Sequence, residues 1–67
     1  MNKKIRVLVV DDSAFNRQSI AAMLQSSPNI EVVDAVADGR EAIKSVSIHK
    51  PDVITLDLEM PNMDGFT

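Results

Sequence analysis

Three stretches of the chain are almost wholly apolar, and two stretches between them are apolar at helical spacing. The first, Ile5 to Val10, is broken only by Arg6. Such a run lacks polar alternation and predicts a strand buried on both faces, as in a parallel sheet. Asp11, Asp12 and Ser13 end it. Ser13 is a candidate helix cap, with both acids at the positive helix end. Ala14 to Ser26 predicts the helix, with Ala14, Ile20, Ala21 and Leu24 on its inner side. Pro28, in the Ser27-Pro28-Asn29 loop, bars its continuation.

Ile30 to Ala37 predicts a second strand, carried by Val32, Val33 and Val36. The D-x-x-E run from Asp38 to Glu41 is close to a capping box and opens a second helix. That helix extends to about His49, with Ala42, Ile43 and Val46 as its expected inner stripe. Lys50, Pro51 and Asp52 stop it, and Val53 to Leu56 predicts a third strand. Pro61, Asn62, Asp64 and Gly65 are turn residues. The order β-α-β-α-β implies an α/β fold with a parallel sheet and right-handed crossovers. There is no internal repeat, linker or low-complexity segment.

Composition narrows the picture. Sixty-seven residues allow one small domain with a marginal core. There is no cysteine, which excludes disulfides and thiolate metal sites and fits a cytoplasmic protein. The net charge of -3 argues against a basic nucleic-acid surface. No stretch approaches the length of a membrane span. The basic, then apolar start is too short for a signal peptide, and two acids follow at once.

The candidate chemistry lies in the acids. Ligands of parallel α/β sheets bind beyond the carboxyl ends of the strands. Asp11 and Asp12 end the first strand and Asp57 ends the third. If these strands are neighbours, three carboxylates converge. Like charges that close repel, and a hard divalent cation such as Mg²⁺ offsets them. An aspartate beside such a cation is a candidate nucleophile toward a phosphoryl group. Acids after a strand are also common as solvated helix caps, and the Asp11-Asp12 pair alone reads that way. Asp57 is harder to dismiss because Leu56 and Leu58 flank it.

The stretches VLVVDDS (Val7 to Ser13), ADGREAI (Ala37 to Ile43) and PDVITLDLEMPNMDG (Pro51 to Gly65) resemble the first half of a bacterial response-regulator receiver domain. Each motif alone is weak; the three in register are specific. The resemblance implies a flavodoxin-like three-layer α/β/α fold with strand order 2-1-3-4-5. It implies that Asp57 is the phosphoacceptor, served by a histidine kinase. It implies Mg²⁺ bound by the side chains of Asp12 and Asp57, with Asp11 helping through water and Glu59 supplying its backbone carbonyl. Asn16, Met60 and Pro61 would flank the pocket. A narrower resemblance is to the receivers of chemotaxis protein-glutamate methylesterases. Asn16 departs from that group, where Met is usual. Esterase activity belongs to a separate domain and carries over to no residue of this chain.

A receiver of this kind continues with two further strands, which bring a signalling Ser or Thr and a Lys. Thr55, Thr67, Lys3, Lys4, Lys44 and Lys50 match neither. Residues 1–67 are thus expected to be the N-terminal half of one receiver domain, with no independent activity and weak or absent phosphorylation in isolation. Strand three would then be an edge with apolar faces, so the chain is expected to self-associate through it. His49 reads as a helix-end residue, and Arg17 and Arg40 as solvated. Ser13 and Ser19 lack the setting of a nucleophile. An aspartate-nucleophile phosphatase would show D-x-D-x-[TV], which DLEMP does not.

Overall fold

The structure, a computed structural model, describes residues 3–57. The elements are β1 (Ile5–Asp11), α1 (Ala14–Gln25), β2 (Ile30–Val36), α2 (Gly39–His49) and β3 (Val53–Asp57). All five predicted elements form, with boundaries shifted by one residue in places. The sheet order is β2-β1-β3, and both pairings of β1 are parallel. This is the α/β arrangement expected, with β1 in the middle.

The central strand holds the core. Val7, Leu8, Val9, Val10 and Asp11 are buried. Leu8, Val10 and Val36 form a cluster, and Ala42 of α2 packs against it. By strand alternation, Val7, Val9 and Asp11 face the other side of the sheet. Arg6, the one polar residue in the run, has a distinct task. Its guanidinium donates to the carbonyls of His49 (2.6 Å) and Lys50 (3.2 Å) at the end of α2. Its backbone N–H donates to Asp52 Oδ2 (3.0 Å), and its carbonyl accepts from the Asp52 N–H (2.8 Å). A cation thus satisfies orphan carbonyls of a helix C-terminus, where Lys50 turns left-handed with φ 50°. The same contacts start β3 beside β1.

Both caps form as the sequence implies. Ser13 Oγ accepts from the Asn16 N–H (3.3 Å), and Asp38 Oδ1 from the Glu41 N–H (2.9 Å). The reciprocal arm of the box differs: Glu41 Oε1 accepts from the Ala37 N–H, one residue before the cap (3.4 Å).

The inner faces of the helices correct the expected stripes. On α1, Ile20, Ala21 and Leu24 are partly buried, but Ala14 is exposed. On α2, Ile43 is 74% exposed, while Ser45 is buried at 3%. The cause lies in β2. Val7 pairs with Val32, yet Leu8 pairs with Asp34, so Val33 is an extra residue. The bulge moves even-numbered β2 residues from the face of Ile5 and Val7 to that of Leu8 and Val10. Asp34 therefore meets α2, where its Oδ2 accepts from Ser45 Oγ (2.8 Å) and lies 3.8 Å from His49 Nε2. Ala42, Ser45 and His49 recur at helical spacing, so this polar anchor turns Ile43 outward.

A second correction concerns β3. Val53, Ile54 and Leu56 are all exposed. Neither helix packs on this strand among the described residues, whereas both pack on β1 and β2. No described helix is long and apolar enough to cross a membrane.

Ser45→Ala is expected to lower the unfolding free energy by about 1 kcal/mol, the net value of the hydrogen bond it removes from the partly exposed Asp34. Ile43→Ser should change it by no more than about 0.5 kcal/mol. Urea unfolding of both variants checks this, and equal losses would contradict the bulge-and-anchor account.

Candidate phosphoacceptor and cation site

The site is built where β1 and β3 end together. The ladder pairs Val9 with Thr55, Val10 with Leu56 and Asp11 with Asp57. Parallel neighbours with aligned ends set the two carboxyl-bearing residues side by side on one face. The register is anchored at the start of β3, where Asp52 makes two hydrogen bonds with the Arg6 backbone.

Asp11 is fully buried. Its Oδ1 accepts from the Ser13 N–H (2.9 Å), a turn that starts α1. Its backbone carbonyl accepts from the Arg17 guanidinium (2.9 Å). Its Oδ2 is shut from solvent and has no hydrogen-bond partner among the described residues. A buried carboxylate oxygen left in that state is costly, and such groups are commonly matched by a cation or a donor. Asp12 and Asp57 are exposed, and Asn16 is partly buried in the first turn of α1. Glu59, Met60 and Pro61 lie outside the described residues.

The ladder sets Asp11 and Asp57 side by side and Asp12 follows Asp11 in the chain, with the burial opposite to expectation. Asp11 is the enclosed acid and Asp57 the open one. Asp57 ends a strand that no described helix covers, which explains its exposure despite its apolar neighbours. Among the described residues, no three acidic or histidine side chains stand close enough together to hold a metal ion. The donor chemistry nevertheless fits a hard cation, since every candidate ligand is an oxygen and one of them is a partnerless buried carboxylate.

Two residues were missed by sequence reasoning. Arg17, expected to be solvated, holds the Asp11 carbonyl. Its signal was placement four residues after the Ser13 cap, on the turn that faces back to the strand end. Thr55, discounted as a switch hydroxyl, has a buried Oγ1 without a partner. No sequence signal marks that.

Comparison with known proteins agrees with this fold. The family description for response regulator receiver domains matches residues 7–67. A protein-glutamate methylesterase/protein-glutamine glutaminase of Geobacter sulfurreducens is 55% identical over 65 residues, which is 97% of this chain and 18% of that protein. One from Myxococcus xanthus is 57% identical over 63 residues, 94% of this chain and 18% of that protein. The crystal structure of the response regulator domain of Thermotoga maritima CheB superposes with a TM-score of 0.81 at 52% identity. That match covers 90% of this chain and 45% of the solved one. The chain spans under a fifth of the length of the curated relatives it matches. With matching motifs, parallel sheet and strand-end acids in place, the chain belongs to the response regulator receiver domain family.

Arg17→Ala is expected to cost about 1–2 kcal/mol of stability and to speed hydrogen exchange at the Ser13 N–H. Arg40→Ala, on the exposed start of α2, should do neither. Exchange rates and urea midpoints for the pair test the assignment, which fails if both variants behave alike.

Proposed function

We propose that this chain is the phosphoacceptor part of a two-component receiver, taking a phosphoryl group on Asp57 from a histidine kinase. The reading is supported chiefly by one observation: Asp57 stands open beside Asp11, whose buried Oδ2 has no partner. In the transfer, a carboxylate oxygen of Asp57 attacks the phosphorus of the kinase phosphohistidine. The P–N bond breaks with its electron pair staying on that ring nitrogen, and because the other ring nitrogen already carries a proton, a neutral imidazole leaves. An acyl phosphate remains on Asp57.

The chain's own residues prepare this step. Exposure of Asp57 lets a bulky donor approach. Ser13 and Arg17 fix Asp11, so its Oδ2 keeps one position beside the acceptor. A bound Mg²⁺ would supply charge neutralisation for the phosphoryl oxygens. Asp11, Asp12 and Asp57 would hold it, joined by the Glu59 carbonyl.

The relatives suggest the setting. We take residues 1–67 as the N-terminal half of a receiver, and the protein that carries it as a cytoplasmic chemotaxis methylesterase. The 45% coverage of the Thermotoga maritima domain and the names of the curated relatives support this. Transfer to Asp57 would then regulate an esterase that lies elsewhere in the protein.

A specific observation favours a second reading, self-association through β3. That strand is an edge of the described sheet, and Leu56 is 66% exposed. Paired edges of two copies would bury it.

Two measurements test these readings. With Mg²⁺ and a small acyl phosphate, the full-length protein is expected to gain one phosphoryl mass, and Asp57→Asn to gain none. An adduct that survives in Asp57→Asn would refute the acceptor assignment. For the second reading, light scattering of the isolated 67-residue chain should give a dimer mass that Leu56→Lys reduces to a monomer. A wild-type monomer at all concentrations would exclude it.

A further inference from the structure

The described sheet ends in β2 on one side and β3 on the other. An open strand edge presents amides and carbonyls that recruit another strand. On β2 the amides of that edge are already taken. The Ile30 N–H donates to the Ser27 carbonyl (3.3 Å), and the Val32 N–H to Gln25 Oε1 (3.0 Å). The Ala35 N–H donates to Asp34 Oδ1 (2.8 Å), and the Ala37 N–H, just past the strand, to Glu41 Oε1 (3.4 Å).

Their spacing assigns these four amides to one edge. Successive amides of a strand point to opposite sides, so one edge owns every second residue. Ile30 and Val32 keep that step before the extra residue Val33, and Ala35 and Ala37 keep it after. The change of parity falls at the bulge, where the ladder to β1 also shifts. The acceptors come from the loop before β2, the end of α1, β2 itself and the first turn of α2. On β3, no side chain among the described residues accepts from a strand amide, and Val53, Ile54 and Leu56 are exposed.

The difference decides how copies can join. Two unlike open edges would pair head to tail, β2 of one copy against β3 of the next, and the sheet would grow without limit. With β2 closed, β3 can meet only its twin, across a two-fold axis that closes at two copies. We propose that Gln25, Asp34 and Glu41 close the β2 edge to strand addition, so that copies of this chain join at β3 alone and stop at a dimer. This rests on the self-association reading above and adds the block that limits it. Gln25 is the central blocking residue, because its side chain reaches from the last residue of α1 to the strand amide at Val32.

The test is light scattering of the isolated 67-residue chain over a concentration series. The wild-type mass should level off at two copies, and continued growth would overturn the block. Gln25→Ala combined with Glu41→Ala removes two of the side-chain acceptors and should grow past two copies. Gln25→Glu combined with Glu41→Gln keeps an oxygen at both positions and should stop at two. Arg17→Ala loses stability but keeps the edge, so it should stop there as well. Growth in that variant would trace assembly to unfolding and refute the proposal. In a Leu56→Lys background, where β3 is closed, the Gln25→Ala and Glu41→Ala pair should turn a monomer into a dimer joined at β2. A monomer there overturns the block whether or not wild type pairs through β3. A wild type that stays monomeric removes the β3 reading, and the Leu56→Lys background still decides the β2 edge. Hydrogen exchange reads the same contact without association. The Val32 amide should exchange about three- to tenfold faster in Gln25→Ala, the size of one neutral hydrogen bond, and at the wild-type rate in Gln25→Glu. Equal rates in Gln25→Ala and wild type would overturn the role of Gln25.

Discussion

Double parallel pairing of β1 is the constraint from which the rest of this structure follows. The strand has a neighbour on each side and both helices pack on it, so its side chains from Val7 to Asp11 are removed from water. Its composition suits that place, since Leu8, Val9 and Val10 have no polar atoms to satisfy. Two polar residues in the strand are the exceptions, and both are used. Arg6 carries its charge out to the carbonyl end of α2. Asp11 stays inside, where the chain turns into α1. Because β1 is central, any residue at its carboxyl end lies between the ends of β2 and β3.

The face logic of the sheet extends from there. One extra residue at Val33 sends Asp34 toward α2, and the helix answers with Ser45 rather than with a hydrophobic side chain. Small residues at 42 and 45 let α2 approach closely, at the expense of leaving Ile43 in water. Beyond α2, the edge of β2 is also managed by side chains. Gln25 Oε1 accepts from the Val32 N–H (3.0 Å), and Asp34 Oδ1 from the Ala35 N–H (2.8 Å). Amides that would otherwise recruit another strand are occupied there. On β3 the apolar residues at 53, 54 and 56 stand open, so the two edges of the described sheet differ in kind.

Much of this was legible in the amino-acid order. Uninterrupted β-branched runs, Pro28, Pro51 and the capping residues Ser13 and Asp38 marked all five elements. Strand-end acids marked the candidate site, and the ladder sets two of them side by side. What escaped was what depends on neighbours. The bulge at Val33 has no local signature, since Val-Val suits a regular strand equally well. Hydrophobic spacing on α2 favoured Ile43, and the Asp34–Ser45 hydrogen bond overrode it. The burial of Asp11 and the exposure of Asp57 depend on which strand is central and which is covered. Flanking residues do not carry that information. Arg17 holds the Asp11 carbonyl and Thr55 Oγ1 is buried without a partner among the described residues, and periodicity marks neither.

The central claim is that Asp11, Asp12 and Asp57 form a single cation-dependent acceptor site at the end of two adjacent parallel strands. Crystals of the full-length protein grown with Mn²⁺, a close stand-in for Mg²⁺, test it most directly by anomalous scattering. The account predicts one anomalous peak bounded by these three residues. A map with the acids well ordered and no peak among them, or with the metal bound elsewhere on the domain, would contradict it.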